Sequence, residues 1–169
     1  DNFGVQWNKF DKTQLDREDV GKDISRRRFF AETHWDNQDL TGQNVLEVGS
    51  GAGRFSRVVL EHTKASLYSV DYSDAVIANH KNNSPLAPDR FHLFQASIYE
   101  LPFPDDSFDK VFCLGVLQHT PDFDASVKAL ISKAKIGGEI VVDFYPIKGW
   151  WTKVHAKYIF RPITKRLSH

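Results

Sequence analysis

The sequence contains no methionine and only one cysteine, Cys113, in 169 residues. A single cysteine excludes an internal disulfide framework and is typical of a reducing compartment, so we expect a cytoplasmic protein. Long hydrophobic runs are also absent, since no apolar stretch approaches the roughly 20 residues that a membrane-spanning helix needs. Histidine, cysteine and acidic residues do not cluster at metal-ligand spacing, which disfavours a metal site. Without methionine there is no initiator residue, and we expect a piece of a longer protein.

Acidic residues are missing from one end of the chain. Asp143 is the last of them, and six lysines and arginines follow it, whereas the preceding part holds 16 basic and 22 acidic residues. Residues 147–169 thus form a basic, aromatic tail. The tail can be a helix that packs on the domain or a segment that contacts an anionic membrane surface. Nucleic-acid binding is the least favoured alternative.

One stretch of the sequence, in contrast, is rich in glycine. Gly49, Gly51 and Gly53 alternate directly after the apolar run Val45–Val48, and an amphipathic segment follows. This order predicts a strand, a loop and a helix, with main chain that a ligand can approach because glycine has no Cβ. A phosphate-binding loop is excluded because Lys followed by Ser or Thr is missing from the end of the stretch. A dinucleotide fingerprint fits poorly, since its third glycine would fall at Arg54.

The same stretch, Glu47-x-Gly49-x-Gly51-x-Gly53, resembles the first motif of the Rossmann-like methyltransferases that depend on S-adenosylmethionine (SAM). Two later segments, LPFPDDSFD at 101–109 and GVLQHTPD at 115–122, are similar to those of the ubiquinone/menaquinone-biosynthesis-type small-molecule branch of that family. The resemblance covers about residues 44–145. It implies SAM as cofactor, S-adenosylhomocysteine (SAH) as product, and a small-molecule or lipid-like methyl acceptor. A glycine-rich turn without a ligand is the alternative.

A carboxylate follows the second predicted strand, Ser66–Val70. Asp71 lies 24 residues beyond Glu47. In a strand–helix–strand unit, a carboxylate at this position sits beside the glycine loop and accepts hydrogen bonds from ribose hydroxyls. The alternative role for Asp71 is to cap the helix that begins near Ser73.

Further elements alternate along the chain. Helices are predicted over 25–35, 55–62, 74–83 and 122–135, and strands over 45–48, 66–70, 90–95, 110–114 and 139–144. The last helix has Val127, Leu130, Ile131 and Ala134 on its predicted buried face, and Gly137-Gly138 is expected to end it. Such alternation predicts an α/β fold, a doubly wound and mostly parallel Rossmann-like sheet in the order 3-2-1-4-5. The family's terminal antiparallel hairpin has no counterpart after strand five, so we expect a truncated sheet.

The resemblance implies a set of cofactor-binding residues, namely Glu47, Gly49, Ser50, Gly51, Gly53, Asp71, Tyr72, Ser97, Ile98, Leu114 and Val116. Glu47 would orient the methionine amino end through the loop, and Tyr72 would lay its ring against the adenine. Ser97 replaces the aspartate usual in this branch, and a hydroxyl without charge predicts weaker cofactor binding. His119 is the candidate general base, or else a rim residue that orders the next helix.

Three parts are expected in the chain. Residues 1–43 form an N-terminal helical, aromatic lid or packing appendage, with an arginine of the helix as one possible ligand contact. Residues 44–146 form the SAM-binding core, and 147–169 form the tail. A non-catalytic SAM- or SAH-binding or interaction domain is the alternative function, favoured by the missing strands and by Ser97. An NAD-dependent enzyme is disfavoured by the glycine spacing.

Overall fold

The computed structural model describes residues 24–143, which hold five parallel strands in one sheet with the order β3-β2-β1-β4-β5. The strands are β1 Asn44–Val48, β2 Ser66–Asp71, β3 Phe91–Gln95, β4 Phe108–Cys113 and β5 Ala134–Val142. The helices are α1 Ile24–Thr33, α2 Arg54–His62, α3 Ala75–Asn83 and α4 Phe123–Lys133, with a short 3-10 helix at Leu117–His119. The predicted doubly wound α/β fold and its strand order are confirmed.

Apolar side chains on both faces bury the central strands. Val45 and Phe112 face the cluster that includes Phe29 of α1 and Val58 of α2. Their neighbours in sequence face the opposite cluster, which contains Leu46, Val111 and Leu130 of α4. Successive side chains of a strand point to opposite faces, and parallel sheets are covered on both, so continuous apolar runs form β1 and β4.

Helix α1 is fixed to the sheet by aromatic packing and by one buried charge. The Phe29 ring lies 5.2 Å from Phe112 and 5.8 Å from Trp35, between ring centroids. Lys110 on β4 is only 3% exposed, and its Nζ lies 2.8 Å from Glu139 and 4.8 Å from the Trp35 ring centre. Trp35 Nε1 also donates to Glu139 at 2.7 Å. The segment is therefore packed on the core over residues 24–35.

The boundary between α4 and β5 differs from the prediction. The helix ends at Lys133 and the strand begins at Ala134, four residues before Gly138. The backbone N–H groups of Asp106 and Ser107 donate to the carbonyls of Ser132 and Lys133, so a distant loop caps the helix. The glycine pair instead lies in an irregularity of β5, between the residues that pair with Phe108 and Lys110.

The predicted buried face of α4 is also partly wrong. Ile131 is 56% exposed, and Ala134 belongs to β5. The face that is buried carries Ser126 and Leu130, with Val127 packed beside them.

Several predictions lie outside the described residues. These are the first 23 residues of the expected lid, Phe144 at the end of strand five, and the whole basic tail 147–169. The division into lid, core and tail therefore stays a prediction. Within residues 24–143, no helix has both the length and the apolar character needed to cross a membrane.

Candidate ligand-binding site

A cleft of about 760 Å³ opens at the carboxyl ends of β1, β2 and β4. This is where the strand order reverses, the place at which open α/β sheets bind ligands. Its volume falls in the range of roughly 300–1,000 Å³ that is usual for small-molecule sites. Ten of the predicted site residues line it: Gly49, Ser50, Gly51, Asp71, Tyr72, Ser97, Ile98, Leu114, Val116 and His119. The structure thus brings these residues together, and their contacts with a ligand stay predictions.

Glycine occurs at positions 49 and 51 of the loop for different structural reasons. At Gly49 the backbone φ is +83°, and an added Cβ would overlap the Val116 side chain across the cleft wall. At Gly51 the φ is +53°, yet the space where a Cβ would stand has no atom within 4 Å. Gly49 is therefore required by packing as well as by backbone conformation. Gly51 leaves its side of the loop open to a ligand.

Asp71 ties the glycine loop to the start of the following turn. Its Oδ2 accepts from the Gly51 N–H at 2.7 Å, while Oδ1 accepts from the backbone N–H and the hydroxyl of Ser73 at 2.8 and 2.7 Å. The N-cap residue of α3 is Asp74, so the capping alternative does not describe Asp71. The carboxylate stands beside the loop at the end of β2.

Two predicted residues, Glu47 and Gly53, do not line the cleft. Glu47 is 2% exposed, and its Oε2 accepts from the hydroxyls of Ser56 and Ser69 beneath the loop. Desolvation by burial raises the pKa of this carboxyl to about 7, although both serine hydroxyls favour the charged form. Any influence of Glu47 on a ligand therefore passes through the loop.

The opposite wall of the cleft combines Ser97, Ile98 and Tyr99. The Ser97 hydroxyl accepts from the Tyr99 N–H at 3.2 Å, which leaves it a second acceptor site and its own proton. The Tyr99 hydroxyl accepts from the Asp122 N–H at 2.9 Å and donates to the Asp122 carbonyl. Tyr99 thus links the two segments of this wall, a role that the sequence analysis missed. Tyr72 is 75% exposed at the same cleft.

His119 ends the 3-10 helix at the rim of the cleft. Its side chain is exposed, and its backbone N–H donates to the Val116 carbonyl at 2.8 Å. This position suits both a general base and a rim residue. The neighbouring Gln118 also lines the cleft, and its buried Oε1 has no hydrogen-bond partner among the described residues. Over residues 24–143, no three His, Cys, Asp or Glu side chains group in a way that could hold a metal ion.

Two arginines, Arg28 and Arg54, also line the cleft. Arg28 lies on α1, where an arginine was expected as one possible ligand contact, whereas no role was predicted for Arg54. Both guanidinium groups approach the Phe55 ring, at 5.6 and 5.3 Å from its centre. Arg28 also pairs with Asp143 at 2.7 Å, which connects α1 to the residue after β5. Helix α1 therefore contributes Arg28 to the lining of the cleft.

Comparisons with known proteins agree with this geometry. The family model described as "Methyltransferase domain" matches residues 46–142, more than half of the chain. The chain is 31% identical over 130 residues to the ubiquinone/menaquinone biosynthesis C-methyltransferase of Vibrio campbellii, covering 73% of this chain and 50% of that protein. It is 32% identical over 113 residues to the tRNA U34 carboxymethyltransferase of Nautilia profundicola, covering 66% and 37% respectively.

The fold is also similar to that of a known methyltransferase. The crystal structure of a SAM-dependent methyltransferase from Aquifex aeolicus aligns with a TM-score of 0.64 at 15% identity, over 98% of this chain and 87% of that one. The chain spans about half the length of the first of the curated relatives. The resemblance found in the sequence is confirmed, and the chain belongs to the methyltransferase-domain family.

Proposed function

We propose that this chain binds SAM in the cleft and transfers its methyl group to a small-molecule or lipid-like acceptor. The observation that carries the proposal is the meeting of the glycine loop and Asp71 at the carboxyl ends of β1 and β2. Membership of the methyltransferase-domain family supports it.

The residues present fit an adenosyl ligand. Such a ligand needs room against the main chain, acceptors for its ribose hydroxyls, and an apolar surface for its base. The open side of Gly51 supplies the room. Asp71 supplies an acceptor, because a carboxylate has about four lone-pair sites and its three hydrogen bonds to Gly51 and Ser73 leave one of them for a ribose hydroxyl. Ile98 and Leu114, both at most 9% exposed, supply apolar surface.

Bound SAM supplies a methyl group on a positively charged sulfur, which is already a good leaving group. The protein's part is then to align the two reactants and to exclude water. Leu114 and Val116 present apolar side chains to the cleft after β4. His119 is placed at the rim, where a base would take a proton from an oxygen or nitrogen acceptor.

The proposed acceptor class comes from the chemistry of the cleft. The two curated relatives are named for different acceptors, and the chain covers half or less of each. The apolar side chains after β4 favour a small or lipid-like molecule over a nucleic acid. The alternative function is a non-catalytic SAM- or SAH-binding domain. It is favoured by Ser97, which brings no negative charge to its wall of the cleft.

A thermal unfolding experiment separates the ligand classes. A ligand that binds only the folded chain stabilises it by an amount that grows with concentration, about 2.7 kcal/mol at one hundred times its Kd. We expect SAM and SAH to raise the melting temperature, and NAD to leave it unchanged. A rise with NAD alone would contradict the proposal. Conversion of SAM to SAH in the presence of phenol or quinol acceptors then distinguishes an enzyme from a binding domain.

A further inference from the structure

We propose that three asparagines of α3, Asn79, Asn82 and Asn83, are positioning residues that hold the glycine loop in its ligand-accepting shape. They act from beneath the loop, because none of them lines the cleft. The inference rests on the proposed function insofar as the loop is taken to bind the cofactor. Their spacing of i, i+3 and i+4 places the three side chains on one face of the helix.

Two of the amides hold the loop by its backbone. Asn83 Nδ2 donates to the Gly53 carbonyl at 2.9 Å, and Asn82 Nδ2 donates to the Ala52 carbonyl at 3.2 Å. Both carbonyls belong to the turn between Gly51 and α2. Hydrogen bonds to consecutive carbonyls restrict the orientation of the intervening peptide, and so of the loop that precedes it.

Asn79 connects the loop to the interior. It is fully buried, and its Nδ2 lies 3.0 Å from the Ser50 hydroxyl and 3.1 Å from the Ser56 hydroxyl. Its Oδ1 accepts from Asn83 at 2.8 Å, which couples the two amides. Ser50 lines the cleft, so one hydrogen bond separates Asn79 from the ligand-facing surface.

The network continues to β1 and β2. The hydroxyls of Ser56 and Ser69, both fully buried, donate to Glu47 Oε2. Asn79 reaches the same two hydroxyls. A buried hydrogen-bond network thus lies under the loop. It consists of the Glu47 carboxyl group, two serines and two asparagines. Buried polar groups are costly without partners, so the hydrogen bonds among these groups favour a single arrangement. One atom of the network, Asn83 Oδ1, is buried without a hydrogen-bond partner among the described residues.

The third glycine of the motif fits this network closely. A Cβ at Gly53 would overlap Asn79 Oδ1 and Asn83 Nδ2. Glycine is therefore required at position 53 by the amide pair and by a backbone φ of +86°, and no ligand contact is needed to explain it. The network therefore explains why the motif has a glycine at a position that does not line the cleft.

The test uses Asn83→Ala, and Asn82→Ala as a half-buried variant that is less disruptive to folding. The control is Val127→Ala, which removes packing from α4 on the core at a residue that belongs to neither the loop nor the cleft lining. Two quantities are measured under conditions in which all variants are folded: the Kd for SAH by calorimetry, and hydrogen–deuterium exchange of residues 49–53 without ligand.

The asparagine variants should raise the Kd about tenfold, as for one lost hydrogen bond, and should speed exchange in the loop. The control should lower the melting temperature with the Kd changed less than about twofold.

Other results would overturn the inference. If the asparagine variants lower the melting temperature but leave both the Kd and loop exchange unchanged, the amides only pack the helix. If wild-type protein does not bind SAH, the proposed function fails. The exchange measurement then still decides whether the amides hold the loop, because it needs no ligand.

Discussion

At the scale of single residues, Glu47 has an ionisable group enclosed beneath the glycine loop. Burial raises its pKa from 4.5 to about 7 in the folded chain. A carboxyl whose pKa is higher in the folded state binds its proton more tightly there. Its contribution to stability is therefore fully present below about pH 4.5 and is lost as the pH rises through about 7.

The variant Glu47→Gln removes this titration while keeping an acceptor for the two serines. We expect the free energy of unfolding of the wild type to fall, relative to the variant, by on the order of 2–3 kcal/mol between pH 5 and 8. Urea unfolding across that range measures the difference. The exposed Glu100→Gln provides the control and should follow the wild type. Parallel pH dependence of wild type and Glu47→Gln would show that Glu47 does not titrate as described.

Gly49 tests the packing of the loop against Val116. Gly49→Ala places a Cβ at a φ of +83° and into the Val116 side chain. Gly42→Ala is a matched control, since its φ is +76° but the space for its Cβ is empty. The control should cost about 1–2 kcal/mol for backbone conformation, and Gly49→Ala about 1–3 kcal/mol more for overlap. Denaturant unfolding compares them, and equal losses would argue against a tight contact with Val116.

At the scale of elements, the attachment of α1 depends on a charge pair between β4 and β5 that contacts Trp35, two residues after the helix ends. Glu139 is half-exposed, whereas its partner Lys110 is buried under Trp35. Glu139→Ala leaves a buried ammonium group unpaired and an indole N–H without its acceptor. We expect a loss of about 1–3 kcal/mol in unfolding free energy, against less than about 1 kcal/mol for Lys135→Ala in the exposed pair with Asp109. Chemical denaturation followed by tryptophan fluorescence measures both, and a cost for Glu139→Ala no larger than for Lys135→Ala would contradict this attachment.

Some of the helices and strands could be predicted from the sequence, and the boundaries and buried faces of others could not. Apolar runs separated by a glycine loop predict β1, α2 and β2 because these signals are local. The end of α4 was mispredicted because Asp106 and Ser107, distant in sequence, cap it. The asparagines of α3 were missed because polar residues on a helix usually face water. Asn79 and Asn83 are both 0% exposed, and this burial becomes visible only once α3 packs on the loop.

At the scale of the whole molecule, sheet topology alone gathers the site. The elements that contribute Gly51, Asp71, Ile98 and Leu114 are separate in sequence, yet all end at one edge of the sheet. Which of these residues face the cleft was largely predictable, since parallel strands present their carboxyl ends together. The placement of Glu47 beneath the loop, and of Gly53 against Asn79 and Asn83, was not, because it depends on side-chain packing. Sequence spacing does not specify that packing.

Binding of SAM and SAH in the cleft is proposed to depend on Asp71. Calorimetric titration of SAH into the wild type, Asp71→Ala and the exposed control Asp89→Ala tests this dependence. We expect the wild type and Asp89→Ala to bind alike, and Asp71→Ala to lose about 1–3 kcal/mol of binding free energy. A folded wild type that binds neither SAM nor SAH, or an Asp71→Ala variant with unchanged affinity, would contradict it.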